Sequence, residues 1–208
     1  MVIGGWGCTA ADGDRDECSA AVEEQYAAQV RYLDVIPEGA GPDPEAAAEL
    51  LATTDRTYPA AASCSAEQAA WLAAERSYAL AEAAPERHLA EYDELMERAA
   101  VVPEYGELVQ FRQARALRLG GRPDEALALY EERQGPVAIQ ADVGRALALE
   151  ATGDYALAYW LWMDIHARAG QDLGSPLARR ISTQARERLG ALMEAAAQEE
   201  AGGAASDG

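Results

Sequence analysis

Ala114-Arg-Ala-Leu-Arg-Leu-Gly-Gly-Arg-Pro-Asp-Glu-Ala-Leu-Ala-Leu-Tyr130 and Ala146-Leu-Ala-Leu-Glu-Ala-Thr-Gly-Asp-Tyr-Ala-Leu-Ala-Tyr-Trp-Leu-Trp162 carry one pattern twice. Ala114, Leu117, Gly121, Ala126 and Tyr130 return as Ala146, Leu149, Gly153, Ala158 and Trp162, each 32 residues further on. A fixed offset that moves small, turn-forming and large apolar residues together marks an internal repeat. Its physical content is a helix, a tight turn centred on glycine and a second helix. The alanines sit where two helices touch, and the aromatic ring fills the space between them. Such a unit cannot bury its apolar face alone and has to stack on neighbours.

These two segments resemble the tetratricopeptide repeat family. The family's Gly-Asp-Tyr turn stands at Gly153, Asp154 and Tyr155 and is weaker at Gly121, Arg122 and Pro123. The period is shorter than the roughly 34 residues usual for that repeat, which fits a clipped link at Gln134-Gly135-Pro136. The aromatic expected early in the first helix is replaced by Val109 and Asp142. The resemblance implies an all-α fold: a TPR-like α-solenoid of antiparallel helix pairs with a C-terminal capping helix. The clearest repeats are 108–134 and 140–169 within a helical domain spanning 17–197.

Outward from the repeats, proline and capping residues punctuate the chain. Pro103 opens a helix to Leu119, Pro123 one to about Arg133, Pro136 one to Ala151, and Asp154 caps one to Ala169. Ser175-Pro176 starts the capping helix, 176–197, with Leu177, Ile181, Ala185, Leu189 and Leu192 on one face. Residues 198–208 read as a disordered acidic tail. On the other side, Ser65 and Gln68 make a capping box for a long helix. Pro85 begins the next, Glu86 to Ala100. Pro44 opens a helix to about Thr53, with irregular chain over 54–64. The first helix is expected over Glu17–Ile36, its apolar stripe being Cys18, Val22, Tyr26, Val30, Leu33 and Ile36.

Residues 1–16 read as a disordered N-terminal tether. A small residue directly before Cys8, followed by the polar run Thr9 to Glu17, resembles the end of a bacterial lipoprotein signal. That resemblance implies lipidation at Cys8 and a periplasm-facing position on a bacterial cell envelope. A cytoplasmic protein with a ragged N-terminus is the alternative. With Cys8 lipidated, Cys18 and Cys64 remain as an even pair at the starts of predicted helices. A bridge between them would be worth about 3–4 kcal/mol in the chain-entropy model and belongs to an oxidising compartment. In a reducing one they are two buried thiols. Asp12, Asp14, Asp16 and Glu23 do not complete a calcium loop, because Glu17 stands where its glycine is required.

Composition excludes more than it identifies. All 17 basic residues are arginine, and the net charge is −19 over 208 residues. Backbone neutralisation of nucleic acid needs a basic footprint, so that partner is not expected. The acid excess fits a salt-adapted source or plain codon bias. The cysteines lack metal-ligand spacing, and no metal or cofactor is implied. His88 and His166 lack partners at catalytic spacing, and no nucleophile elbow or phosphate loop occurs. No catalytic residue is assigned, and a non-enzymatic role is expected.

One surface stands out. Arg112, Arg115, Arg118 and Arg122 fall within about a third of a helix circumference, with Phe111 beside them. In tetratricopeptide repeats the first helix of each repeat lines a peptide-binding groove. The resemblance therefore implies a groove containing Phe111, Arg112, Arg115, Arg118 and Arg122 with Val143, Leu147 and Glu150 of the next repeat. It would hold a protein or peptide partner, acidic if the arginines recognise carboxylates. The alternative is an internal ion-pair lattice with Glu104, Glu107 and Glu125. Two roles follow: an interaction scaffold, or an assembly protein that homo-oligomerises through Tyr159, Trp160 and Trp162.

Overall fold

The computed structural model describes residues 12–35, 43–131, 138–172 and 174–206. The fold is all-α, with no strand among the described residues. Nine helices are described: α1 (Asp12–Val35), α2 (Pro44–Thr57), α3 (Ala66–Ala83), α4 (Pro85–Ala99), α5 (Pro103–Leu119), α6 (Pro123–Glu131), α7 (Ala138–Thr152), α8 (Tyr155–Ala169) and α9 (Pro176–Ser206). They divide into two compact units, α1–α5 and α6–α9, and within each unit consecutive helices pack on one another. The two helices of the first expected repeat, α5 and α6, belong to different units.

Helix starts follow from local chemistry. α2, α4, α5, α6 and α9 each begin at a proline, whose missing amide costs nothing in the first turn. Asp43 accepts from the Glu45 and Ala46 amides, both at 2.9 Å. Ser65 and Gln68 form the expected reciprocal box ahead of α3, and Asp154 caps α8 through the Leu157 amide. α2 runs past Thr53 and passes into a 3₁₀ turn over Tyr58–Ser63, where irregular chain was expected. Thr54 Oγ1 donates to the Leu50 carbonyl at 2.8 Å and Thr57 Oγ1 to that of Thr53 at 3.2 Å. Hydroxyls that bond back to the preceding turn let these β-branched residues stay helical.

Both ends of the chain are more helical than its composition suggests. α1 begins at Asp12, inside the expected tether. α9 continues through an alanine-rich segment to Ser206, into the expected tail.

The first unit is built around α3, which packs on α2, α4 and α5 and is buried on nearly all sides. Its core joins Ala73, Ala74 and Leu80 to Leu95, Ala99 and Val109. α1 docks through Cys18, Ala21, Gln25, Ala28 and Tyr32, all buried. The expected stripe is displaced from this face by roughly 100°, one residue's turn, leaving Tyr26, Val30 and Leu33 exposed. The reason is the set of fixed contacts on α1. Cys18 is bridged to Cys64 with Cα atoms 5.2 Å apart. Thr57 Oγ1 lies 3.0 Å from the Gln25 side-chain amide, and Tyr32 meets the Tyr78 ring edge-on at 5.7 Å.

The second unit has one cluster made of Ala146, Trp162, Ile165, Ala169, Ile181 and Ala185. α9 covers α8 with Ala178, Ile181 and Ala185, while Leu177 stays exposed. Across the 32-residue offset, burial repeats with identity. Ala114 and Ala146, Ala126 and Ala158, and Tyr130 and Trp162 are all at most 3 % exposed. Gly121 (φ 77°) and Gly153 (φ 83°) occupy the left-handed region that only glycine enters without strain. Tyr130 presses so closely on α7 that Gly144 leaves no room for a side chain.

Candidate functional site

The arginine surface expected to form a groove falls partly in each unit. In the first unit Arg112 points into the protein: only 8 % exposed, it donates from Nη1 to the Ala74 carbonyl and lays its guanidinium 4.9 Å over the Tyr78 ring. Burial pushes the Arg112 pKa down against the pull of Glu75. Burial likewise pushes the Glu75 carboxyl up, and the Arg112 charge opposes that. Arg115 Nη2 donates to Glu82 Oε2 at 2.8 Å, with the Glu82 side chain 1 % exposed. Phe111 and Arg118 are half-buried on α5.

In the second unit Arg122 clamps Glu125 with two bonds of 2.7 Å. Val143 and Leu147 pack against the Trp162 cluster. Glu150 accepts from Trp162 Nε1 at 2.6 Å and from Arg188, so its carboxylate fastens α7 to α8 and α9. Arg112, Arg115, Arg122 and Glu150 are thus engaged within the chain. Of the acids expected in an internal lattice, Glu125 is a partner; Glu82 and Glu75 were not foreseen.

Sequence reasoning also missed a polar cluster on α2, α3 and α4. Arg76 donates to Asp55 Oδ1 at 2.8 Å and to Glu91 Oε2 at 2.7 Å. Arg87 completes the cluster by donating to both oxygens of Asp55. The Arg87 bond, with Arg76 adding to it, holds the Asp55 carboxyl below the usual range. The Tyr58 ring lies under Arg76 at 4.8 Å and Arg98 at 5.4 Å. Arg87 and Glu91 are an i,i+4 pair on α4, but no spacing rule links them to Asp55 and Arg76.

The full burial of His88, read from the sequence as an ordinary non-catalytic histidine, was not foreseen either. Its Nε2 lies 2.8 Å from Ser77 Oγ, and both residues are 0 % exposed. Burial, helped by the Arg112 charge, lowers its pKa to about 4, so the imidazole is neutral at ordinary pH. Its Nδ1 has no hydrogen-bond partner. A bare lone pair costs less than an orphaned N–H, so Nε2–H donates to Ser77. A histidine–serine pair sealed from solvent is a core contact. His166 Nδ1 approaches Ser182 Oγ at 3.0 Å and tethers α8 to α9.

Cys18 and Cys64 are brought together as a disulfide; Cys8 lies outside the described residues. Among the described residues, no group of three or more His, Cys, Asp or Glu is placed to hold a metal ion. No helix among them is long and apolar enough to cross a membrane. A cavity of about 430 Å³ between α1 and α2 has Ala28, Ala46 and Leu50 on its floor and Arg31 and Glu49 at its rim.

The surface left uncommitted is the outer face of α8. Opposite the buried Ala158, Trp162, Ile165 and Ala169, this helix exposes Trp160 (69 %) and Met163 (43 %), with Leu157 (55 %) on the flank and Tyr155 (56 %) exposed in the first turn. Tyr159 meets the Trp160 ring edge-on at 5.9 Å. α8 is therefore apolar around most of its circumference, a pattern that belongs to helices covered on all sides. Comparison with protein-family models, with curated proteins and with solved structures finds no match for this chain.

Proposed function

We propose that this protein is a non-catalytic interaction module of the tetratricopeptide-repeat-like solenoid type, and that it engages a protein partner through the outer face of α8. The observation that carries this reading is Trp160, 69 % exposed within a continuous apolar helix face. Exposed contiguous apolar surface on a highly charged chain marks an interaction site. Aromatic anchors of this kind dominate binding energy at protein interfaces. The arginine face is the weaker candidate, because Arg112, Arg115 and Arg122 already neutralise or cap groups of their own chain.

The repeat reading is supported by left-handed glycines and buried alanines that recur together at the 32-residue offset. Placement at a bacterial cell envelope, with lipid on Cys8, is supported by the Cys18–Cys64 bridge, since such bonds persist in oxidising compartments.

The test is a photoreactive phenylalanine analogue at position 160 in the full chain, irradiated in the producing cells. A covalent adduct with a polypeptide, abolished by Leu157→Asp, is expected. Absence of any polypeptide adduct at native expression levels contradicts the proposal.

A further inference from the structure

The outer face of α8 reads the same in both directions. Ala156, Trp160, Met163 and Ala167 form its exposed midline at intervals of four, three and four residues. The order is small, large, large, small. A twofold interface places the same patch of both copies face to face, so each residue must suit the one that symmetry sets opposite it. With α8 antiparallel to its copy and the axis between Trp160 and Met163, Trp160 of one chain meets Met163 of the other, twice. Ala156 faces Ala167 at both ends, where two small residues let the backbones approach. A thioether against an aromatic ring is itself a favourable contact.

From this self-complementarity we infer that the occupant of the α8 face is a second copy of the same chain, in an antiparallel twofold dimer. The inference rests on the proposed role of α8 and specifies its partner. The area agrees with a dimer that exchanges. With 150–250 Å² for a large, fully exposed side chain, this midline and the flanking Leu157 offer roughly 400–500 Å² per copy. Two copies would bury roughly 800–1,000 Å², at the lower bound for a specific interface, as a weak, exchanging dimer would. Asp164 lies beside the midline and is bridged to Arg168 at 2.8 Å, so this carboxylate meets the interface at its rim as part of an ion pair.

Sedimentation equilibrium of the full chain, with Cys8→Ser so that Cys18 and Cys64 are its only cysteines, measures the association. A monomer–dimer equilibrium is expected, weakened at least tenfold by Trp160→Ala with helix content unchanged. Register is read by oxidising Ala156→Cys and Ala167→Cys variants separately and mixed. The mixture yields a disulfide-linked dimer of one variant with the other, and neither variant alone links efficiently. A chain that is monomeric up to millimolar concentration overturns the inference. So does a dimer indifferent to Trp160→Ala, or efficient self-linking of either single variant, which indicates parallel helices. If position 160 crosslinks in cells to a different polypeptide, the module reading stands and the dimer does not. If it crosslinks to nothing, both fall.

Discussion

At the scale of the residue, Arg112 decides between the two readings of the arginine face. Its guanidinium is buried between the Ala74 carbonyl and the Tyr78 ring and answers the charge of Glu75. Removing one member of such a set strands the other in a low dielectric. Arg112→Met is therefore expected to lower unfolding free energy by about 3 kcal/mol or more, and Glu75→Gln in the same chain to recover part of that loss. Urea unfolding of the two variants checks it; an unchanged midpoint for Arg112→Met would return this side chain to the surface. His88 supplies a pH signature. Its pKa is about 4 in the folded protein against 6.5 as the ordinary value, so below pH 6.5 the unfolded chain binds the extra proton. Its contribution is fully present above pH 6.5 and is lost as pH falls toward 4, by up to about 3 kcal/mol. His88→Gln should flatten the stability–pH slope between pH 6.5 and 4 relative to wild type. An identical slope in both chains would show that His88 is not the group responsible.

At the scale of the element, the two helix–turn–helix segments were legible because their residues obey a period. Gly121 and Gly153 reach the same left-handed conformation, and the paired alanines and aromatics reach the same burial. Gly144 shows where the period stops informing, because its counterpart 32 residues earlier is Arg112, a buried cation. A Cβ at Gly144 would stand 2.6 Å from Tyr130 Cε1, and Tyr130 is 3 % exposed with nowhere to move. Gly144→Ala should cost about 2 kcal/mol or more through overpacking. Tyr130→Leu in the same chain should reverse part of it, and thermal melts of the pair decide. A melt unchanged by Gly144→Ala would mean that α6 and α7 lie further apart. The rotation of α1 was not legible, because apolar spacing alone favoured Tyr26, Val30 and Leu33. What turns the helix is a disulfide and a glutamine–threonine bond to residues more than 30 positions away. The polar clusters around Asp55 and Glu75 escaped for the same reason: each joins different helices at positions with no common spacing. The exposed face of α8 was half legible. Trp160 and Tyr159 were visible as an aromatic cluster, but which ring faced outward depended on the position of α9.

At the scale of the whole molecule, a net charge of −19 opposes self-association while the α8 face favours it. The balance has a definite sign with salt. Raising ionic strength from 0.1 to 1 M shortens the screening length from about 10 to about 3 Å, weakening repulsion between copies and leaving the apolar contact intact. Dimerisation should tighten several-fold over that range. Weakening over the same range would indicate an interface held by opposite charges, and would direct attention back to the arginines. High like charge opposes aggregation, so an exposed tryptophan that makes an exchanging contact is compatible with this composition.

The most direct measurement is native mass spectrometry of the protein taken from its own cells, wild type beside Trp160→Ala. Wild type is expected in complexes heavier than the 22.1 kDa chain, and the variant at the mass of the chain alone with its helix content intact. Wild type found only as a monomer, or complexes that survive loss of the Trp160 side chain, would contradict the role assigned to the α8 face.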